Sequence, residues 1–278
     1  DAQESRGLGD VYKRQALYDL GFRRISYGVQ DYDLKVQESI NRVQPFENVK
    51  RATEEAREIG FTSISHDLIF GLPHQTMEGM METINLTKEL NPDRISFYSY
   101  AHVPWIKGVG QRGFQDDDLP SPELKRALYE EGKKMFEEMN YFEVGMDHFA
   151  LEQDSMYQSM KNHTLHRNFM GYSSSKTQLM VGLGVSSISD SWYSFAQNEK
   201  TVEEYEKSIN NGELSVFKGH ILSEEDLIMR RHILNLMCNL ETSWADDNMK
   251  FDDVDRIKTM LQDMVDDNLI AVSYTHLR

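Results

Sequence analysis

The 278-residue chain has a single cysteine, Cys238. One thiol cannot build an internal disulfide framework, and its isolation fits a reducing cytosol. Cys238 lies in an apolar, helix-patterned stretch and reads as a small core residue. No run of about 18 apolar residues is present, so no membrane-spanning helix is expected, and no secretory signal pattern is visible. Basic residues are scarce: 30 Lys and Arg stand against 46 Asp and Glu, a net charge of -16. That balance argues against nucleic acid and anionic membrane surfaces as partners. It leaves room for an anionic small molecule, which needs only a local cluster of bases. There is no phosphate loop, no G-x-S-x-G elbow and no H-E-x-x-H. His163 and His166 have a ligand-like spacing, but no Cys or third His lies near them in sequence, so no metal site is assigned there. The length allows one large domain or two smaller ones.

What is present begins to look regular only from Ala16. Residues 1–15 show no convincing periodicity, and V-S-Y-T-H-L-R at the other end stops without a terminating signal. Both ends resemble translated adapter sequence. Residues 1–15 are therefore expected to be a non-native extension, and the chain an internal piece of a longer protein. Arg24–Gln30 reads as a strand with Ile25, Tyr27 and Val29 on one face and Ser26, Gly28 and Gln30 on the other. A helix over about Pro45–Ile59 follows, with Gly60 as its C′ residue. Thr62–Pro73 is a second strand, and Thr76 caps the next helix, with Pro92 just past its end. Arg94–Ala101 is a third strand.

In Thr62–Pro73, Ser63, Ser65 and Asp67 share one face while Ile64, His66 and Leu68 share the other. The residues alone leave two readings of Asp67: a satisfied structural carboxylate, or a ligand contact. Strands spaced by 30–40 residues with helices between them give the βα pattern of a parallel sheet or barrel. Small or polar residues recur on one face, Ser26/Gly28/Gln30, Ser63/Ser65/Asp67 and Ser99/Ala101, which suggests a lumen that holds a ligand. Three such units make about half a barrel, which cannot close.

After His102 the pattern changes. Val103–Asp118 is a connection rich in Gly and Asp. Ser121 caps a helix whose stripe is Leu124, Leu128, Met135 and Met139. Asn140–Ala150 reads as a strand running into a loop, Leu179–Ser189 as a Gly-rich strand or turn, and Thr201–Asn210 as a short helix. Ser223 and Asp226 form a capping box for Glu224–Leu240, with Leu227, Ile233, Leu234, Met237 and Leu240 as its face. A last helix spans Asp252–Asp266. The fold class is therefore α/β. The expected organisation is a partial barrel over residues 16–105, an extension over 106–222 and a small, mostly helical domain over 223–278.

Several longer patterns occur in order: R-R-I-S-Y-G-V-Q-D-Y, N-R-V-Q, D-L-I-F-G-L-P, N-P-D-R-I-S, Y-A-H-V-P, G-M-D-H-F-A, L-H-R-N-F-M-G-Y and G-V-S-S-I-S. Together they resemble the oxygen-independent coproporphyrinogen III oxidase family of radical S-adenosylmethionine (radical SAM) enzymes, from about Ala16 to Leu240. The resemblance implies the C-terminal half of a (β/α)6 partial TIM-like barrel. It also implies oxidative decarboxylation of two propionates of coproporphyrinogen III to give protoporphyrinogen IX in haem synthesis. The cofactors implied are two S-adenosylmethionines and a 4Fe–4S cluster, with an electron donor as partner, in a cytoplasmic monomer.

By position, the resemblance implies S-adenosylmethionine contacts at Gln30, Arg42, Asp67 and Ala101, and a second such site near Ile188. Phe169 and Met170 fall in the substrate-side segment, where Met170 replaces the usual Gln. Arg167, in a run with Lys161, His163 and His166, is the candidate partner of a propionate. The family's C-x-x-x-C-x-x-C motif is absent, so this chain is expected to bind no cluster and to be inactive alone. The alternatives are a haem chaperone of the same superfamily and a cluster-less paralogue.

Overall fold

The computed structural model describes residues 11–103, 114–245, 250 and 254–271. It divides into two compact units, Asp1–Leu165 and His166–Arg278. The division falls inside the 106–222 segment of the sequence-based partition. The Gly-rich part of the connection after Val103 and the C-terminal segment from Val272 lie largely outside the described residues.

The first unit runs α1 (Val11–Asp19), β1 (Arg24–Gln30), α2 (Leu34–Ser39), α3 (Phe46–Ile59), β2 (Ser63–Phe70), α4 (Met77–Leu90), β3 (Arg94–Ser99), α5 (Pro122–Glu138), β4 (Tyr141–Glu143), β5 (His148–Leu151) and α6 (Ser155–Lys161). The helix limits follow from local chemistry. Asp33 Oδ1 accepts from the Lys35 and Val36 amides at the start of α2. Thr76 and Ser121 cap α4 and α5 by accepting from the Gly79 and Leu124 amides. Gly60 ends α3 at φ 109°, a left-handed conformation that favours glycine. Helix α1 covers residues assigned above to a non-native extension. It has no apolar stripe to read, but buried Arg14 pairs with Glu55 of α3, and Tyr18 meets Phe61 edge-on at 5.6 Å.

One five-stranded sheet has the order β1-β2-β3-β5-β4. Strands β1, β2 and β3 are parallel, whereas β5 runs antiparallel to β3 and β4 antiparallel to β5. The expected single strand over Asn140–Ala150 is thus two strands with a turn between them. The main apolar cluster joins Val29, Leu68, Phe70, Ile95, Phe97 and Phe149 of the sheet to Val49, Met80, Ile84, Leu128 and Phe136 of α3, α4 and α5. Burial of each such side chain contributes about 1.5–3 kcal/mol. On α5 the fully covered line is Leu128, Gly132 and Phe136, while Met135 and Met139 of the expected stripe pack at its margin. A Cβ at Gly132 would sit 2.6 Å from the Phe97 ring, so glycine lets that ring lie against α5.

The opposite face of the sheet is set by register: Gly28 pairs with Asp67, Asp67 with Ser96, and Ser96 with His148. Partners across a ladder project to the same side. The β3 expectation is corrected here. Ser99 shares the phase of Ile95 and Phe97, Ala101 lies beyond the strand, and Ser96 and Tyr98 carry the polar phase. The choice of Ser99 and Ala101 rested on residue polarity, whereas the phase is fixed by pairing with β2.

The second unit contains a hairpin of β6 (His166–Asn168) and β7 (Gly171–Ser173). Beyond it come β8 (Ile188–Asp190), β9 (Ser194–Asn198), α7 (Val202–Asn210), β10 (Val216–Ile221) and the helices α8 (Glu224–Asn239), α9 (Val254–Met260) and α10 (Gln262–Asp266). Strands β10, β9 and β8 form an antiparallel sheet. The Ser223–Asp226 capping box is formed. The expected α8 face is corrected: Ile233 and Leu240 are exposed, and His232 and Cys238 are the buried positions. Arg230 on α8 pairs with Asp190 at 2.7 Å and lies over the Trp192 ring at 4.5 Å, tying that helix to β8 through charge and stacking.

Candidate functional site

Three of the residues singled out by sequence meet on the open face, where β1 ends. The β1–β2 register slips between Gly28 and Gln30, a bulge that leaves Val29 as the extra residue. A bulge alone would turn the next side chain away from the open face. Gln30 instead has φ 70°, and its Nε2 lies 2.7 Å from where a Gly28 Cβ would stand. Arg42 reaches the same point and donates to the Gly28 carbonyl at 2.8 Å. Any side chain at position 28 would push the ends of both aside, and glycine lets them stand there. Asp67, in register with Gly28, accepts from the Ser26 hydroxyl at 3.0 Å. It is half-buried, not sealed in the interior.

Two polar atoms in this cradle are buried and lack a partner among the described residues: Gln30 Oε1 and Arg42 Nε. One is an acceptor and the other a donor. Unpaired buried groups cost about 1–3 kcal/mol each and call for a compensating partner. The cradle thus presents an unmet acceptor, an unmet donor and a carboxylate side by side at the end of β1.

The fully buried carboxylate belongs to a residue that sequence reading passed over. Asp31 accepts from the Gln75 amide at 2.6 Å, the Thr83 hydroxyl at 2.9 Å and the Asp33 amide at 2.7 Å. Burial pushes its carboxyl above the usual carboxylate range, and those three donors oppose the shift. Gln37 extends the network by donating to the Asp31 and Gln44 carbonyls. Its own side-chain oxygen accepts from the Gln44 amide at 2.9 Å. Gln44 in turn lies 3.3 Å from the Gly28 carbonyl that Arg42 holds. This web fixes the loop that carries Arg42 and the turn that ends β1. The sequence signal was the acidic residue directly after a strand end, with Gln and Thr on the following elements.

The other expected site residues are scattered. Ala101 is exposed, one residue past Tyr100, whose carbonyl accepts from Lys125 Nζ at 2.7 Å. Ile188 opens β8 in the second unit. Phe169 and Met170 form the exposed tip of the β6–β7 hairpin. Arg167 stacks over Tyr172 at 5.1 Å, with a buried Nε that has no partner among the described residues. The expected basic run is corrected at His166. That imidazole is buried, and burial holds it below the usual histidine range, so it is not a surface base. No group of three metal-ligating side chains occurs among the described residues, and none of their helices is long and apolar enough to cross a membrane.

Known proteins supply a context for this geometry. A family model described as the radical SAM superfamily matches residues 14–87, the stretch that includes Gln30, Arg42 and Asp67. The oxygen-independent coproporphyrinogen III oxidase of Helicobacter pylori (strain J99) is 41% identical over 237 residues, covering 85% of this chain and 52% of that protein. The protein of the same name from Escherichia coli (strain K12) is 40% identical over 225 residues, covering 81% and 49%. The solved structure of coproporphyrinogen III oxidase (HemN) from Escherichia coli, a radical SAM enzyme, matches with a TM-score of 0.88 at 35% identity. It covers 95% of this chain and 62% of that one. The chain spans about half the length of the curated relatives it matches.

Proposed function

We propose, for a chain homologous to the oxygen-independent coproporphyrinogen III oxidases of the radical SAM superfamily, that the cradle at the end of β1 is one side of an S-adenosylmethionine site. The observation that carries this reading is the orphaned pair Gln30 Oε1 and Arg42 Nε beside Asp67. Their hydrogen-bonding senses fit the ligand. Arg42 donates to the methionine carboxylate, and Gln30 Oε1 and Asp67 accept from ribose hydroxyls. Ala101 is a further contact in this reading, and Ile188 belongs to a second S-adenosylmethionine. When bound with a reduced 4Fe–4S cluster, S-adenosylmethionine supplies hydrogen-atom abstraction.

The cluster does not fit this chain. Its one cysteine, Cys238, is buried, and burial pushes the thiol pKa up. The chain alone is therefore proposed to be inactive. In the longer protein the substrate is coproporphyrinogen III, whose propionates are oxidatively decarboxylated. Arg167, with Phe169 and Met170 at the hairpin tip, is the substrate-side contact. An electron donor is required. The protein is read as a cytosolic monomer that binds no nucleic acid or membrane, in keeping with its excess of acidic residues.

The test is calorimetric titration of the chain with S-adenosylhomocysteine, a closed-shell analogue. Saturable binding is expected, weakened about tenfold by Arg42→Gln and by Asp67→Asn. Absence of saturable binding, or indifference to both substitutions, overturns the reading.

A further inference from the structure

The open face does not end at Asp67. Gly28, Asp67, Ser96 and His148 stand in register across β1, β2, β3 and β5, so His148 closes a row that begins at the cradle. It lies two strand spacings from Asp67, about 10 Å. Its setting is built. Gly145 and Asp147 both have left-handed backbones, at φ 65° and φ 59°, and the turn they make is locked where the Phe97 amide donates to the Asp147 carbonyl at 2.7 Å. His148 Nδ1 is 2.6 Å from the Met146 carbonyl. A carbonyl only accepts, so the proton sits on Nδ1 and Nε2 is left as an acceptor. Nε2 faces the Tyr98 hydroxyl at 3.3 Å, and the two rings meet edge-on at 5.7 Å. Tyr98 is 38% exposed, so this pair is reachable from the open side.

We propose that Tyr98 and His148 form a carboxylate-recognition site at the far end of this row and take a propionate of the tetrapyrrole. This rests on the substrate reading given above. On binding, His148 Nε2 takes one proton from solvent, and Nε2–H and the Tyr98 hydroxyl each donate to one carboxylate oxygen. Nδ1–H keeps its bond to Met146, so the ring need not turn. Among the described residues, Asp147 stands beside it in the chain and Asp67 lies along the row, while Tyr129 feels Asp147 and the Lys133–Glu143 pair. The row thus places a nucleoside-facing carboxylate at one end and a carboxylate-binding pair at the other.

The experiment is fluorescence titration of the chain with coproporphyrin III and, separately, with its tetramethyl ester. The wild-type chain is expected to bind the free acid at least tenfold more tightly than the ester. His148→Gln is expected to reduce that preference several-fold while leaving ester binding unchanged, the remainder resting on Arg167, and Tyr98→Phe to reduce it about twofold. A substitution that merely damages the fold lowers both affinities and leaves their ratio alone, which counts against the proposal. A wild-type preference that His148→Gln leaves unchanged overturns the carboxylate site and leaves the substrate reading standing. Failure of the wild-type chain to bind either porphyrin overturns both.

Discussion

The two faces of the first unit's sheet are made by the same strands, yet they obey opposite rules. On the helix-covered face, Leu68, Ile95, Phe97 and Phe149 meet Met80, Ile84, Leu128 and Phe136, and even the polar member is sealed. His66 on that face is fully buried, bonded only to the Thr53 hydroxyl at 3.0 Å, with Nδ1 unpartnered among the described residues. On the open face, Ser26, Asp67 and Tyr98 keep contact with solvent, and the buried atoms Gln30 Oε1 and Arg42 Nε have their bonding unmet. The helix-covered face leaves His66 Nδ1 unmet among apolar side chains, whereas the open face gathers two unmet atoms beside a carboxylate. The difference teaches where to expect stability and where to expect ligand: closed packing on one side, unfilled hydrogen bonds on the other.

The comparison breaks most visibly at Phe97, whose ring lies 4.8 Å from Phe70 and 5.2 Å from Phe136. Phe97→Ala is expected to cost about 3–5 kcal/mol, read as a lowered denaturation midpoint. A loss below about 1 kcal/mol would mean that the helix face is not closely packed. The next effect is in pH. Burial, reinforced by Arg57, lowers the pKa of His66 to about 3. The unfolded chain, titrating near the ordinary histidine value, then takes up the proton first. Stability is full above about pH 6.5 and falls as pH drops towards 3, by about 1.4 kcal/mol per pH unit from this group. His66→Gln should flatten that part of the stability–pH curve, and an unchanged slope would assign it elsewhere. The smallest effect belongs to the open face. Asp67→Asn should shift folding stability by less than about 0.5 kcal/mol while weakening S-adenosylhomocysteine, because its one side-chain bond among the described residues is to exposed Ser26. A large melting shift would make Asp67 a structural carboxylate after all.

Much of this contrast was legible in the sequence because it is periodic. Strict alternation in Ser63–Phe70 separated Asp67 from Leu68, and the stripe Val49, Ala52, Ala56 marked the buried side of α3. The caps Thr76, Ser121 and Ser223 were readable from single residues. What escaped was decided by partners distant in sequence. The phase of β3 comes from its pairing with β2, not from the polarity of Ser99. Helix α1 is held by the Arg14–Glu55 pair and Tyr18, which leave no stripe. The three-residue strands β6, β7 and β8 are too short for a period of two to show. At the site, the family resemblance named Gln30, Arg42 and Asp67, and alternation placed two of them on one face. Asp31 escaped because its three donors come from separate elements.

Gln30 also holds a backbone that glycine would hold more easily. A non-glycine residue at φ 70° carries about 1 kcal/mol of strain, and the surrounding Asp31 web keeps it there. At this position the firmness of the fold and the grip on a ligand pull in opposite directions. Gln30→Gly should melt at the same temperature or slightly higher and bind S-adenosylhomocysteine less well. That single substitution makes the trade-off between a relaxed chain and a competent one directly measurable.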